Sequence, residues 1–213
     1  MIKLYGYWRS SAAYRVRIAL NLKGLPYETV SINLAKGEHG HGDYAQINPQ
    51  GLVPVLEVDG DRLFQSLAII EYLEEKHPEP TLLPRDAGGR ARVRSLALIV
   101  ACEIHPLNNP RVLNYLTGTF AISDEQRLTW YHHWIKTGFS ALEKRLATET
   151  GAGSFCHGDS PTMADIALVP QVANAVRFNV NLSTYPNIRR INDACQKLEA
   201  FQKAAPQNQP DAQ

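Results

Sequence analysis

Ile2-Lys3-Leu4-Tyr5-Gly6-Tyr7-Trp8-Arg9-Ser10-Ser11-Ala12-Ala13-Tyr14-Arg15-Val16-Arg17-Ile18-Ala19-Leu20 is the stretch on which the fold turns. A short apolar run (Ile2, Leu4, Tyr5) breaks into an arginine and two hydroxyls, and Ala13, Val16 and Leu20 then recur on one helical face. This predicts a buried strand over 2–6 running straight into a helix over 11–23, stopped by Gly24 with Pro26 just beyond. Helix N-termini carry N–H groups without intrahelical acceptors and the positive end of a dipole, so the junction is suited to hold an anion. No cysteine sits there. If the anion is a thiolate, a small-molecule cofactor supplies it.

Outward from this junction, strand and helix signals keep alternating as far as about Lys76. Residues 27–32 read as a second strand, followed by a polar, glycine-rich loop over 35–43. Residues 53–58 and 62–64 flank Asp59-Gly60, a strong two-residue hairpin signal. Ser66 then caps a helix carrying Ile69, Ile70 and Leu73. The order implies a mixed sheet, an antiparallel hairpin attached to a parallel pair. Residues 77–90 contain Pro78, Pro80, Pro84, Gly88 and Gly89, the composition of a linker. Strand signals nearly vanish beyond it. Helices are expected over 90–116, 124–146, 162–177 and 188–204, the third opened by a capping box of Thr162 with Asp165 in the usual Glu position. Residues 206–213 read as a frayed or draped tail. The expected domains are 1–80 and 88–213.

Composition narrows the function classes. A chain of 213 residues with formal charge +1 lacks the concentrated basic surface that nucleic acid or an anionic membrane requires. No stretch is apolar enough to span a bilayer, and no charged segment precedes a long apolar run near Met1. Cys102, Cys156 and Cys195, odd in number and far apart, suit reduced thiols rather than a disulfide framework. A cytoplasmic protein without nucleic-acid or membrane partners is the expectation.

Taken singly, the candidate functional residues have ordinary explanations. Pro54 in Gly51-Leu52-Val53-Pro54 belongs at a strand start; a cis peptide there would turn the Val53 backbone outward for an extended ligand, against a trans bond on frequency alone. Ser10, Ser11 and Ser66 suit helix caps, and Arg9 a solvated arginine. Their joint order is what matters: hydroxyls at the first helix start, a proline before the third strand, and Gln65-Ser66 at the next helix start.

In that order, the first half resembles a thioredoxin-like glutathione-binding domain, and the whole chain resembles the zeta-class glutathione transferases. The run from Arg9 to Leu20 is similar to the zeta signature Ser-Ser-Cys-x-Trp-Arg-Val-Arg-Ile-Ala-Leu. Further matches are Asn48-Pro49-Gln50-Gly51-Leu52-Val53-Pro54, Gln65-Ser66-x-Ala68-Ile69-Ile70-Glu71-Tyr72-Leu73, Thr162-Met163-Ala164-Asp165 and Leu168-Val169-Pro170-Gln171-Val172. The implied fold is an α/β thioredoxin-like N-terminal domain (mixed four-stranded sheet, βαβ-α-ββα) followed by an all-α C-terminal domain. The implied activity is glutathione-dependent cis–trans isomerisation of a maleyl diketo acid, either maleylacetoacetate or maleylpyruvate. Rivals are general glutathione conjugation or peroxidase activity and, in another class, a non-catalytic binding scaffold.

The resemblance also implies residue roles. Ser10 and Ser11 meet the glutathione sulfur, Val53 pairs with the cysteinyl backbone, and Gln65 and Ser66 hold the γ-glutamyl end. His39, His105, Asn109 and Arg111 complete the cofactor site, and Arg9 with Arg177 binds the carboxylates of a small dicarboxylate substrate. The relatives imply a homodimer. Ala12 departs from the family cysteine and Tyr14 from its tryptophan, which removes any protein-borne thiol chemistry from this junction.

Overall fold

The computed structural model describes residues 1–213 and divides into two compact units, Met1–Leu82 with Gln196–Gln213, and Leu83–Cys195. In the first unit, β1 (Ile2–Gly6), β2 (Tyr27–Ser31), β3 (Val55–Val58) and β4 (Asp61–Phe64) form one sheet in the order β2-β1-β3-β4. β1 runs parallel to β2, with Ile2 opposite Tyr27, and antiparallel to β3, with Leu4 opposite Leu56. β3 and β4 pair antiparallel around Asp59 and Gly60, whose φ angles of 53° and 89° are those the tight hairpin requires.

The parallel pair is joined through α1 (Ser11–Leu22), whose apolar stripe of Ala13, Val16, Ile18 and Leu20 is fully buried. α3 (Ser66–Lys76) follows β4, and α2 (Gly42–Ile47) lies in the segment between β2 and β3. A cluster of Tyr7, Ile32, Tyr44, Val53 and Val55, with Trp8 packed against it, joins the end of β1 to the start of β3.

The second unit holds α4 (Ala87–Leu98), a π-helical turn (Ile99–Ile104), α5 (Pro110–Phe120), α6 (Asp124–Thr148), α7 (Met163–Arg177) and α8 (Pro186–Gln196), the last residue of which falls in the first unit. α7 starts on a buried carboxylate: Asp165 accepts from the Cys156 N–H at 2.7 Å and from the N–H and hydroxyl of Thr162, each at 2.8 Å. No helix is long and apolar enough to cross a membrane.

Several elements differ from the sequence reading. The helix expected over 90–116 is broken, since Pro106 and Pro110 lack N–H donors and Pro110 opens a new helix behind Asn109. The helix expected over 188–204 is two, α8 and α9 (Glu199–Ala204). Ser66 is not the cap of α3; Gln65 takes that position at φ 67°, which moves Ser66 into the first turn. The last residues group with the first unit rather than with a helical domain running to 213. They bury Phe201 and Ala204, and their polar ties include Arg17 Nε donating to Ala204 O at 2.9 Å, Asn21 Nδ2 to Ala200 O at 2.9 Å, and Asp211 accepting from Trp8 N–H at 3.1 Å.

Candidate active site

The start of α1 is built around Ser10. Its extended backbone, φ −66° and ψ 117°, turns the hydroxyl onto the helix, where it accepts from Ala13 N–H at 3.2 Å. A hydroxyl has one proton to give as well as lone pairs to offer, so this cap leaves Ser10 able to donate to an anion placed at the helix start. Ser11, the first helical residue, is buried beside it.

The preceding loop is braced from beneath. Arg17, 2% exposed, donates to Trp8 O at 3.0 Å and Tyr7 O at 3.5 Å. Burial pulls its guanidinium down to about 10, against the fields of Tyr27, Tyr14 and Asp211, so it stays charged at neutral pH. Asp211 holds the Trp8 N–H and also accepts from the Ser31 hydroxyl at 2.8 Å. The brace leaves Arg9 exposed, its guanidinium carbon 5.0 Å from the Trp8 ring centroid and 5.8 Å from that of Tyr7.

Val53 precedes β3 rather than belonging to it. Leu52 O is occupied by the Tyr44 hydroxyl at 2.6 Å and Asn48 Nδ2 at 2.7 Å, and burial pushes the Tyr44 phenol up to about 12, so it keeps the proton it donates. The Val53–Pro54 peptide is cis, and the Val53 N–H and C=O take no backbone partner. Gln65 donates from Nε2 to Gln50 Oε1 at 3.0 Å, and the Ser66 hydroxyl accepts from Arg15 Nη1 at 3.3 Å. His39 sits in a 3₁₀ turn against Gly51, whose φ of +61° is strained for any side chain and where an added Cβ would lie 3.2 Å from His39 O. Its Nδ1 is buried without a hydrogen-bond partner. The first unit thus links Val53 to Trp8 in one apolar cluster, Ser66 to α1 through Arg15, Gln65 to Gln50, and His39 to Gly51.

In the second unit His105 ends the π-helical turn, its N–H on Val100 O at 2.9 Å. Asn109 is the N-cap of α5, accepting from Arg111 N–H at 3.1 Å. These three residues therefore lie on one short stretch, from the end of the π-helical turn to the first turn of α5. Arg177 is the last residue of α7 and is exposed.

Residues 1–75 match the glutathione S-transferase N-terminal domain, and residues 135–194 match the C-terminal domain. The chain is 51% identical over 211 residues to a maleylpyruvate isomerase of a Ralstonia species, covering 99% of this chain and 100% of that one. A holo structure of maleyl pyruvate isomerase, described as a bacterial glutathione S-transferase in the zeta class, superposes with a TM-score of 0.97 at 51% identity, covering 99% and 100% of the two chains. The chain belongs to the zeta class of the glutathione S-transferases. The maleylacetoacetate isomerase of Methylobacterium extorquens AM1, of known structure with bound malonate and glutathione, has a TM-score of 0.96 at 44% identity, with 99% of each chain covered.

Three residues of this zeta-class chain escape a reading by sequence. Arg15 places a buried cation under Ser66, while Arg17 and Asp211 fix the loop that carries Arg9. The signal for Arg15 and Arg17 is present: two arginines at i and i+2 in a helix cannot share one face, so at least one must find partners inside. Nothing local marks Asp211, which acts on residues some two hundred positions away.

Proposed function

We propose that this chain is a glutathione-dependent cis–trans isomerase acting on a maleyl diketo acid, with maleylacetoacetate and maleylpyruvate as the two substrate choices. The observation that carries the reading is the start of α1, where Ser10 accepts from Ala13 N–H and retains its own proton beside a helix N-terminus with no cysteine. Glutathione fits the surrounding groups: a backbone pair at Val53, polar side chains at Gln65 and Ser66, and the unpartnered Nδ1 of His39. Bound with its sulfur at Ser10, glutathione supplies a thiolate that adds reversibly to the cis double bond, so that rotation and elimination deliver the trans acid and return the tripeptide unchanged.

The chain's own part is electrostatic. An ordinary thiol, pKa about 8.5, is mostly protonated at neutral pH. A hydrogen bond to a charged group contributes roughly 1.5–3 kcal/mol and a helix N-terminus about 0.3–1 kcal/mol. Together they lower a thiol pKa by about one to three, and a drop beyond about 1.5 makes thiolate the main form at pH 7. Arg9 and Arg177 are assigned to the substrate carboxylates, where a guanidinium fork stabilises the negative charge that grows during addition. Ala12 leaves the chain without a competing nucleophile at this point.

Turnover of both diketo acids with sub-stoichiometric glutathione tests the reading. Isomerisation with full recovery of the thiol is expected, whereas consumption of glutathione on chlorinated aromatics or hydroperoxides without isomerisation would replace it with a conjugating or peroxidase role. Ser10→Ala is expected to raise the bound thiol's pKa and slow turnover about tenfold or more, the scale of one charge-assisted bond. An unchanged thiolate absorbance titration would remove Ser10 from the mechanism.

A further inference from the structure

Arg177 ends α7 on the surface, where a long side chain with about 2 kcal/mol of rotamer entropy would ordinarily sample many positions. Here it has a platform. Its guanidinium carbon lies 5.2 Å from the centroid of the Phe178 ring, within cation–π range. The platform is fixed on two sides. The Tyr131 ring lies 3.9 Å from Phe178 between centroids at an interplanar angle of 32°, and His132 Nε2 is 2.7 Å from Phe178 O. A carbonyl oxygen only accepts, so His132 carries its proton on Nε2. Both residues come from α6, and Tyr131 is buried.

The Phe178 backbone is anchored as well: its N–H reaches Asn174 O at 3.0 Å, and Asn179 at φ 56° turns the chain away from the helix axis. Burial raises the Tyr131 phenol, and the positive field of Arg177 pulls it back, so the two groups sense one another. Arg9, the other arginine assigned to carboxylates, has the same arrangement in its own unit, over Trp8 and Tyr7.

We propose that Phe178, stacked on Tyr131 and tied by its carbonyl to His132, is a positioning residue that holds the Arg177 guanidinium in the orientation from which it binds a substrate carboxylate. The proposal rests on the assignment of Arg177 to the substrate. Phe178 acts through Arg177 and touches neither substrate nor glutathione in this account. Its face carries the negative end of the aromatic quadrupole, against which the guanidinium rests.

The test is a kinetic cycle on the full-length enzyme with a maleyl diketo acid and glutathione. Phe178→Leu is expected to lower kcat/KM for the diacid about 2- to 5-fold, the size of an exposed cation–π contact, with KM for glutathione unchanged. Phe178→Trp, which offers a stronger face, is expected to retain or exceed parent activity. In an Arg177→Ala background the Phe178→Leu effect should disappear. Replacing Phe178 by mono-, di- and trifluorophenylalanine keeps the shape while weakening the ring face. A stepwise fall in kcat/KM with fluorine count, flat when Arg177 is alanine, supports the proposal even if the leucine variant does not fold. Fluorination without effect, or a leucine effect that adds to Arg177→Ala, overturns it. Arg177→Ala with parent kcat/KM would instead overturn the assignment of Arg177 itself.

Discussion

Lys23→Met removes one ion from a buried cluster in the first unit. Lys23 Nζ donates to Glu74 Oε2 at 2.6 Å and to Pro80 O at 2.7 Å, with the lysine side chain 0% and the glutamate side chain 7% exposed. Glu74 also accepts from the Thr81 hydroxyl at 2.8 Å and the Leu82 N–H at 2.9 Å. The methionine stem fills most of the lysine's volume, so the loss is electrostatic. Removing one member of a buried pair costs about 3–5 kcal/mol, and the two donors left to Glu74 place the expectation at the low end, about 3 kcal/mol. For a chain of this size that is roughly 6–12 °C in Tm.

The pH dependence follows from the same geometry. Burial alone would raise the Glu74 carboxyl, but Lys23, Leu82 N–H and Thr81 outweigh it and hold the group below its ordinary value of 4.5. A carboxyl depressed in the folded state contributes stability that is complete above its unfolded pKa and is lost as pH falls through the folded one. The parent therefore loses this contribution below about pH 4.5, whereas in Lys23→Met, with the carboxyl no longer held down by Lys23, that loss shrinks or reverses and the Tm gap to the parent narrows as pH falls. Thermal melts from pH 7 down to pH 4 measure both effects. A Tm within 2 °C of the parent, with an unmoved acid limb, would refute the reasoning; ~2 °C corresponds to less than about 1 kcal/mol.

Two further outcomes are expected. Asp211→Ala strips the Trp8 N–H and Ser31 hydroxyl of their shared acceptor and should reduce kcat/KM severalfold while leaving Tm nearly unchanged, as a half-buried contact near the chain's last residues contributes little to global stability; steady-state kinetics beside a melt will decide. Among the cysteines only Cys102 is exposed, and burial raises the thiols of Cys156 and Cys195, so one equivalent of alkylation is expected in the native protein and three in denaturant, counted by intact mass.

The sheet was legible because its signals are local. Ile2–Gly6 announces a strand by alternation, Asp59-Gly60 a hairpin by turn chemistry, and Ser10 a helix start by its hydroxyl. The misread elements were those decided at a distance or by a single proline. Gln65 takes the cap of α3 because its backbone enters the left-handed region, a choice no propensity of glutamine suggests. The apolar periodicity over 90–116 continues through Pro106 and Pro110, which interrupt the hydrogen-bond ladder without altering the hydrophobic pattern. At the site, the residues assigned to a ligand come from the resemblance, while those beneath them were not legible. Arg15 under Ser66 and Asp211 under Trp8 are contacts between segments far apart in the chain, and a single sequence does not contain that pairing.

The grip of Arg17 on Ala204 O has a consequence for the order in which the molecule can be completed. When the ribosome has finished the first unit's strands, that guanidinium has no carbonyl to hold, because Ala204 follows the whole second unit in the chain. Synthesis at about 5–20 residues per second puts the interval on the order of ten seconds. During that time the nascent β-sheet exists with one flank of α1 uncovered, and the whole second unit has the opportunity to fold first.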